Sequence, residues 1–243
     1  MEQQELEAAL ARNADATYRD FTARLNPSAH RIIGVRVPSV RAIAKTIRDP
    51  HTFLDAFPSF CDPAYEEVLI AFILTGKLKD PQETILRLEA LLPFNDGWGT
   101  NDTLCQGLTL MKTHPDAFWS YLVKKSKSQN PWDVRFSVVS MMDWYLDDAH
   151  IDRILDIVCD IDREPTYTML AAAWLLATAM IRYPSKVLIL LNNDCLDVPT
   201  QKKAIQKALE SRRIQDELKQ TLRMMRQAPG ERSLPTSHPV PSR

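Results

Sequence analysis

The feature that most constrains the fold is a spacing of about 34 residues that recurs through the second half of the chain. Residues that begin predicted helices follow one another in steps of 34, 35 and 33: Trp98, Trp132, Tyr167 and Thr200. Turns between paired helices follow in steps of 34 and 35: His114-Pro115, Asp148-Ala149 and Tyr183-Pro184. Two interleaved series with one period indicate stacked helix–turn–helix units, which predicts an α-solenoid.

Composition and local chemistry favour the same all-α fold. The chain has only six glycines, and its apolar residues recur at helical spacing without the alternation typical of strands. Asn130 followed by Pro131 predicts a capping residue and a proline at the first helical position. The period is close to that of tetratricopeptide repeats, but their W-x2-L-G-x2-Y pattern is missing. Shortened HEAT-like helix pairs forming a curved single domain therefore fit better.

The domain prediction has two parts. Residues 1–227 are expected to form one HEAT-like repeat domain, which begins with less regular helices. The last sixteen residues, 228–243, contain four prolines and no apolar period, so this segment is predicted to be a disordered tail.

Several common classes of protein lack support in the sequence. The cysteines form no CxxC pair and the five histidines form no HExxH motif, so no metal site is predicted. No phosphate-binding glycine loop, dinucleotide fingerprint or GxSxG turn is found, so no cofactor is expected. The charged N-terminus does not resemble a signal peptide, and the apolar run 171–181 is too short to span a bilayer. We therefore expect a cytoplasmic monomer with no membrane contact.

Charge is distributed unevenly although the net charge is −1. Residues 18–48 contain seven Lys and Arg against one acid, and residues 182–226 contain ten against five. Between them, residues 143–164 contain eight acids and two arginines. Two basic regions can bind a polyanion locally while the whole chain stays near neutrality. Solvated helix faces are the plainer interpretation of each region taken alone.

The strongest candidate for a site is Trp98, which lies between two glycines and precedes Asp102 by four residues. Flanking glycines indicate a projecting ring or a close approach of the backbone. Thr100 or Asn101 could cap the helix, which would put Asp102 in its first turn. The helix dipole favours an acid there and keeps it ionised, as a catalytic or cation-stabilising carboxylate requires.

Two further residues extend the pattern into later repeats. Arg135 could form an ion pair within or between repeats, or it could bind phosphate together with Lys202 and Lys203. Trp174 stands among alanines, so it could be a buried knob or an indole in a shallow pocket. Because stacked repeats bring equivalent positions together, we expect Trp98, Asp102, Arg135 and Trp174 to border one concave groove.

The order of these motifs resembles the HEAT-like DNA alkylation repair family, the group that includes the AlkD glycosylases. The resemblance runs from about Ala14 to Gln227. The segments that carry it are GVRVPSVR, YEEVLIAFILTGKLK, the Trp98 and Asp102 pair, WDVRFSVV, AWLLATAMIRYP and KKAIQKALESRR.

The resemblance implies a function and roles for individual residues. Active family members hydrolyse the N-glycosidic bond of N3- and N7-alkylated purines in duplex DNA, without a cofactor. Trp98 and Trp174 match the aromatic residues that contact the deoxyribose, Asp102 the catalytic carboxylate, and Arg135 the arginine near the DNA backbone. The basic regions suggest further DNA contacts from Arg36, Arg41, Lys202 and Lys203.

Two other functions stay open at this stage. The N-terminal part before the GVRVP turn is a single helix-like segment, Leu6 to Leu25, partly broken near Asn13, and it is shorter than in the family's characterised enzymes. A catalytically silent HEAT-like module that binds damaged or branched DNA is therefore an alternative. A protein–protein scaffold is possible for any solenoid, but it leaves the aromatic, acidic and basic residues without a shared explanation.

Overall fold

All regular secondary structure in the described residues, 3–26 and 28–227 of this computed structural model, is helical, with no strand. Short 3-10 turns at Phe57–Ser59 and Leu92–Phe94 follow two of the α-helices. The α-helices are α1 (Gln3–Ala11), α2 (Ala16–Leu25), α3 (Val37–Thr46), α4 (Pro50–Ala56), α5 (Tyr65–Thr75), α6 (Pro81–Leu91), α7 (Trp98–Gly107), α8 (Leu110–Thr113), α9 (Pro115–Lys125), α10 (Pro131–Trp144), α11 (Ile151–Asp160), α12 (Thr166–Ala179), α13 (Pro184–Leu191), α14 (Val198–Glu210) and α15 (Asp216–Gln227).

The helix boundaries confirm the all-α helical repeat fold. Helices α7, α10, α12 and α14 begin at or within two residues of the four predicted starts. Helices α9 and α13 begin at Pro115 and Pro184, as predicted, and α11 begins just after the predicted Asp148-Ala149 turn. Asn130 caps α10 by accepting a hydrogen bond from the backbone N–H of Trp132 at 3.0 Å, with Pro131 at the first helical position. The helix-start aromatics Trp132 and Tyr167 stack on each other, with ring centroids 5.1 Å apart.

The predicted cap of α7 was wrong. The helix begins at Trp98, with Gly97 as its cap and no capping side chain. Thr100 and Asn101 therefore lie inside the helix, and the Thr100 hydroxyl bonds back to the Gly97 carbonyl at 2.9 Å. Asp102 consequently falls in the second turn of α7, beyond the free N–H groups that a first-turn acid would face.

The chain divides into two compact units, Met1–Ala171 and Ala172–Arg243, with the boundary inside α12. In the first unit, α7 packs between α5 and α10, and α10 also packs against α9. Backbones of α5 and α7 meet closely because Gly76 faces Gly107: a Cβ on Gly76 would come within 2.8 Å of the Gly107 carbonyl oxygen. The organisation of residues 1–227 as one domain stays a prediction.

Helix α5 is buried along its entire length, including two glutamates. The Glu66 carboxylate accepts hydrogen bonds from the backbone N–H groups of Ile33, Gly34 and Val35 at 2.9, 2.7 and 3.1 Å. Gly34 has a φ of 96°, a conformation that glycine adopts without strain. The buried acid thus fixes the loop before α3 onto α5, which orients the segment GVRVPSVR.

The second unit contains the end of α12 and helices α13 to α15. Its core includes the alanines of α12 from Ala172 onward, and α14 packs against α15. The predicted disordered tail, 228–243, lies outside the described residues. In the part of the chain that the structure describes, no helix combines the length and apolar character needed to cross a bilayer.

Candidate functional site

Asp102 is held by Arg135 across the interface between α7 and α10. Arg135 donates from Nε to Asp102 Oδ1 at 3.1 Å and from Nη2 to Asp102 Oδ2 at 2.8 Å. Only 6% of the Arg135 side chain and 13% of the Asp102 side chain are exposed. A two-pronged pair of this kind fixes the plane of the carboxylate as well as its position. The ion pair between repeats is therefore the arrangement that the structure shows.

Further hydrogen bonds hold both members of the pair. The remaining terminal nitrogen of Arg135, Nη1, donates to the Tyr167 carbonyl at 3.0 Å. Asn101 donates to Asp102 Oδ1 at 3.0 Å and accepts a hydrogen bond from Asn95 at 2.8 Å. Since Asn101 and Asn95 are buried, this network leaves Asp102 little freedom to rotate. A direct phosphate contact by Arg135, as the sequence suggested, would have to compete with these three donor bonds.

Trp98 lies one helical turn before Asp102 and is half-buried. Its indole N–H donates to the Leu25 carbonyl at the end of α2, at 2.6 Å. The close-approach interpretation of the flanking glycines applies to Gly99, whose N–H donates to Asn26 Oδ1 at 3.1 Å. A Cβ on Gly99 would overlap the Tyr65 hydroxyl and the Asn26 side chain, whereas a Cβ on Gly97 would find its nearest neighbours 3.7 Å away.

A loop from the N-terminal region is attached beside Trp98. The Asp96 carboxylate accepts from the Ser28 hydroxyl at 2.7 Å and from the Ala29 N–H at 2.6 Å. On α2, just before this loop, Phe21 is 51% exposed and Leu25 is 47% exposed. The first unit thus exposes apolar side chains on α2, the helix to which the Trp98 indole donates its hydrogen bond. The Asp102 carboxylate lies one turn after Trp98 on α7.

The N-terminal basic residues differ in their partners. Arg36 forms an ion pair with Asp15 at 2.9 Å and lies over the Tyr18 ring, 4.8 Å from its centroid. Arg41 is exposed and has no acidic partner within the described residues. It shares one face of α3 with Lys45, four residues later.

Lys77, in the turn that follows α5, lies close to Arg41 and Lys45. Partial burial lowers the pKa of Lys77 first, and the nearby charges of Lys45 and Arg41 lower it further. Sequence alone does not connect Lys45 with Lys77, because Lys45 lies on α3 and Lys77 in the turn after α5, and only the packing of α3 on α5 brings them together.

In the second unit, Trp174 is half-buried among the small residues of α12. The ammonium group of Lys207, on α14, lies over the Trp174 ring at 5.7 Å from the ring centroid. A cation over an indole face is attracted by the ring quadrupole. Lys207 was not among the residues predicted from the sequence, although it lies one turn after Lys203 on the same face of α14.

The two lysines that the sequence did single out lie on different faces of α14. Lys203 donates to Gln206 at 3.1 Å. Lys202 lines a shallow cavity between α14 and α15. Its other lining residues are Gln206, Leu209, Glu210 and Arg226. DNA contacts by Lys202 and Lys203 stay predictions.

The structure brings Trp98, Asp102 and Arg135 together in the first unit. Trp174 lies in the second unit, so the predicted shared groove stays a prediction. The first-unit arrangement offers an oriented carboxylate and an aromatic side chain, a combination suited to stabilising positive charge. Within the described residues, no group of His, Cys, Asp and Glu side chains has a metal-binding arrangement.

Comparison with known proteins identifies the family of the chain. No curated protein is matched by the chain. A family model described as DNA alkylation repair enzyme matches residues 3–218, which include α2 with its exposed apolar residues, the α7–α10 pair and the Trp174 surface. The match covers most of the chain, and we conclude that the protein belongs to the DNA alkylation repair enzyme family.

Proposed function

We propose that this protein is a DNA glycosylase that hydrolyses the N-glycosidic bond of cationic N3- or N7-alkylated purines in duplex DNA, without a cofactor. Membership of the family gives a role in DNA repair and DNA as the substrate. The bond that is cleaved and the lesion are our proposal. We retain the predicted cytoplasmic location and monomeric state as part of it.

The chemistry requires stabilisation of positive charge and little else. Alkylation at N3 or N7 makes the purine cationic, so it leaves as a neutral base when the bond between C1′ and the ring nitrogen breaks. The electron pair of that bond goes to the base, and the sugar develops oxocarbenium character. Water then adds its oxygen to C1′ and releases a proton. A fixed carboxylate beside C1′ would stabilise the developing cation and orient the water.

The residues divide this work between them. Asp102 would supply the carboxylate, and Arg135 would hold it in place. Trp98 would pack against the deoxyribose on the strand that carries the lesion. Trp174 is proposed to do the same from the second unit, and Arg36, Arg41, Lys202 and Lys203 to contact phosphates.

The observation that supports catalysis most directly is the orientation of Asp102. Its carboxylate is held by three hydrogen bonds from two residues, but 13% of the side chain stays exposed. A preorganised charge needs little rearrangement when the transition state forms, which is why such groups contribute strongly to rates.

The second candidate is a module that binds DNA without cleaving it. The same ion pair favours it, because Arg135 occupies both oxygens of Asp102 and neutralises its charge. The two candidates predict the same affinity for duplex DNA and differ only in the release of the base.

The deciding experiment measures the release of free base from duplex DNA that contains N7-methylguanine, compared with spontaneous loss. We expect the wild-type protein to accelerate release and Asp102→Asn to lose roughly 100-fold or more of that acceleration while still binding. Asp102→Glu, which keeps the charge, checks against loss through misfolding, and Asp20→Asn on the exposed face of α2 is the matched control. If wild-type protein binds this DNA but does not accelerate release, catalysis is rejected in favour of the binding module.

A further inference from the structure

The charge of the proposed catalytic pair sums to zero. Asp102 contributes one negative charge and Arg135 one positive charge, and their bonded atoms are 2.8 and 3.1 Å apart. At a distance of several ångströms, such a pair acts as a dipole rather than as an anion. A site that binds a cationic purine by charge therefore needs a further, unbalanced negative group.

Asp143 is a carboxylate without a partner in the same helix interface. It lies near the C-terminal end of α10, next to Trp144, whose indole N–H donates to the Cys105 carbonyl of α7 at 2.8 Å. Among the described residues, Asp143 makes no hydrogen bond or ion pair, and its Oδ2 is buried without a partner. Buried polar atoms of this kind are uncommon, and each calls for an explanation.

The groups around Asp143 do not balance its charge. On α7, the Cys105 carbonyl accepts from Trp144, the residue next to Asp143, and Asp102 lies close enough to Asp143 for the two charges to interact. On α9, Lys125 is paired with Asp133 at 3.4 Å, and the Tyr121 ring packs against Phe136 of α10. Burial raises the pKa of Asp143 to about 6, and the charge of Asp102 adds to the effect. Both carboxylates also add to the raised pKa of the buried Cys105 thiol. The two acids therefore act on one region of the interface.

A purely structural role does not explain this residue. A half-buried carboxylate without a donor destabilises the folded state, and an uncharged side chain of the same shape would relieve that cost. Groups that lower stability in this way are found at functional sites, where charge serves binding or catalysis.

We propose that Asp143 supplies the unbalanced negative charge of the Asp102 site and acts as a positioning residue for the cationic base. Its ionisation sets the net charge of the Asp102, Arg135 and Asp143 group at −1, and its protonation returns the group to zero. The role rests on the proposed function, because it assumes that DNA with a cationic lesion occupies this site.

The test compares two duplexes that differ only in the charge of one base. One carries N7-methylguanine opposite cytosine, and the other carries the uncharged isostere 7-deaza-7-methylguanine. The ratio of the two affinities cancels the phosphate contacts that both duplexes share. For the wild-type protein we expect preference for the cationic base to rise about tenfold between pH 5 and pH 7, as Asp143 ionises. For Asp143→Asn we expect a low ratio that does not change with pH. Asp156→Asn, which removes an exposed acid of α11, should behave as wild type.

A stability measurement separates this role from a structural one. The pKa of Asp143 is raised in the folded state, so the folded protein binds more protons and its stability falls as pH rises from about 4 to 6. Asp143→Asn should remove that fall and raise Tm at pH 7 by about 2–4 °C. A variant that becomes more stable while losing the charge preference cannot owe its loss to misfolding.

The outcomes distinguish the inference from the proposed function. If the wild-type protein shows the pH-dependent preference but no accelerated release, the glycosylase proposal fails and the role of Asp143 in recognition stands. If Asp143→Asn retains the wild-type preference and its pH dependence, or if the wild type shows no preference at pH 7, the inference is overturned.

Discussion

The α7–α10 site of the first unit and the α12–α14 surface of the second are both candidates for contact with damaged DNA, and they are built differently. In the first, the Asp102 carboxylate is held by the buried Arg135 and by the buried Asn101. Asn101 in turn accepts a hydrogen bond from the buried Asn95. In the second, the half-buried indole of Trp174 lies among alanines, and the ammonium group of Lys207 lies 5.7 Å from the ring centroid.

The difference shows how each kind of chemistry is held. A charge that must keep one orientation needs several directed hydrogen bonds, and those bonds are strongest where water is excluded. An aromatic ring that attracts a cation through one face needs only side chains packed against its other face, since this attraction depends weakly on direction. The first surface should therefore be sensitive to small changes and the second tolerant of them.

The largest effect is expected for Arg135→Met. Removing the guanidinium leaves Asp102 almost buried without its counter-charge, so we expect a loss of about 3–5 kcal/mol in the free energy of unfolding. Denaturant titration followed by circular dichroism measures it. The control is Arg36→Met, which breaks a largely exposed pair and should cost only about 0–1 kcal/mol. Similar losses for the two variants would mean that Asp102 does not depend on its partner.

A smaller effect should separate the two glycines that flank Trp98. In Gly99→Ala the new methyl group meets the Tyr65 hydroxyl and Asn26. Both of these side chains are buried, so we expect a cost of about 1–3 kcal/mol. Gly97→Ala has space around the methyl group and an extended backbone that any residue adopts, so its effect should stay within about 0.5 kcal/mol. Equal effects on Tm would contradict the close packing described for α7.

A small effect on stability is also expected in the second unit. Lys207→Met removes a cation from a half-buried ring, which should change stability by about 1 kcal/mol or less. If Lys207 binds a phosphate, the log–log salt dependence of duplex affinity should become shallower by about one unit. Lys112→Met, which removes an exposed lysine of α8, provides the charge-matched control. A slope that changes equally in both variants would assign the effect to net charge alone.

The sequence was sufficient to predict the repeat and its local start signals. The period near 34 residues is visible in the order of residues alone. A proline that follows a turn residue indicates the start of its own helix. Neither signal requires knowledge of which helices pack together. The cap of α7 was misassigned because Thr100 bonds to the Gly97 carbonyl instead of to a free N–H. A threonine hydroxyl near a helix start can accept from a free backbone N–H as a cap, or it can donate to a backbone carbonyl from inside the helix. The sequence does not distinguish these two arrangements.

The sequence by itself determined the all-α repeat fold, and it singled out Trp98, Asp102, Arg135 and Trp174. Only the tertiary structure decided that Arg135 donates to Asp102 and Tyr167, that Gly99 is the glycine in close contact, and that Asp143 Oδ2 is buried without a partner. The physical reason is that helix periodicity is a local property of the chain. Ion pairs, overlaps and missing partners arise between helices about 30 residues apart, where packing alone sets which side chains meet.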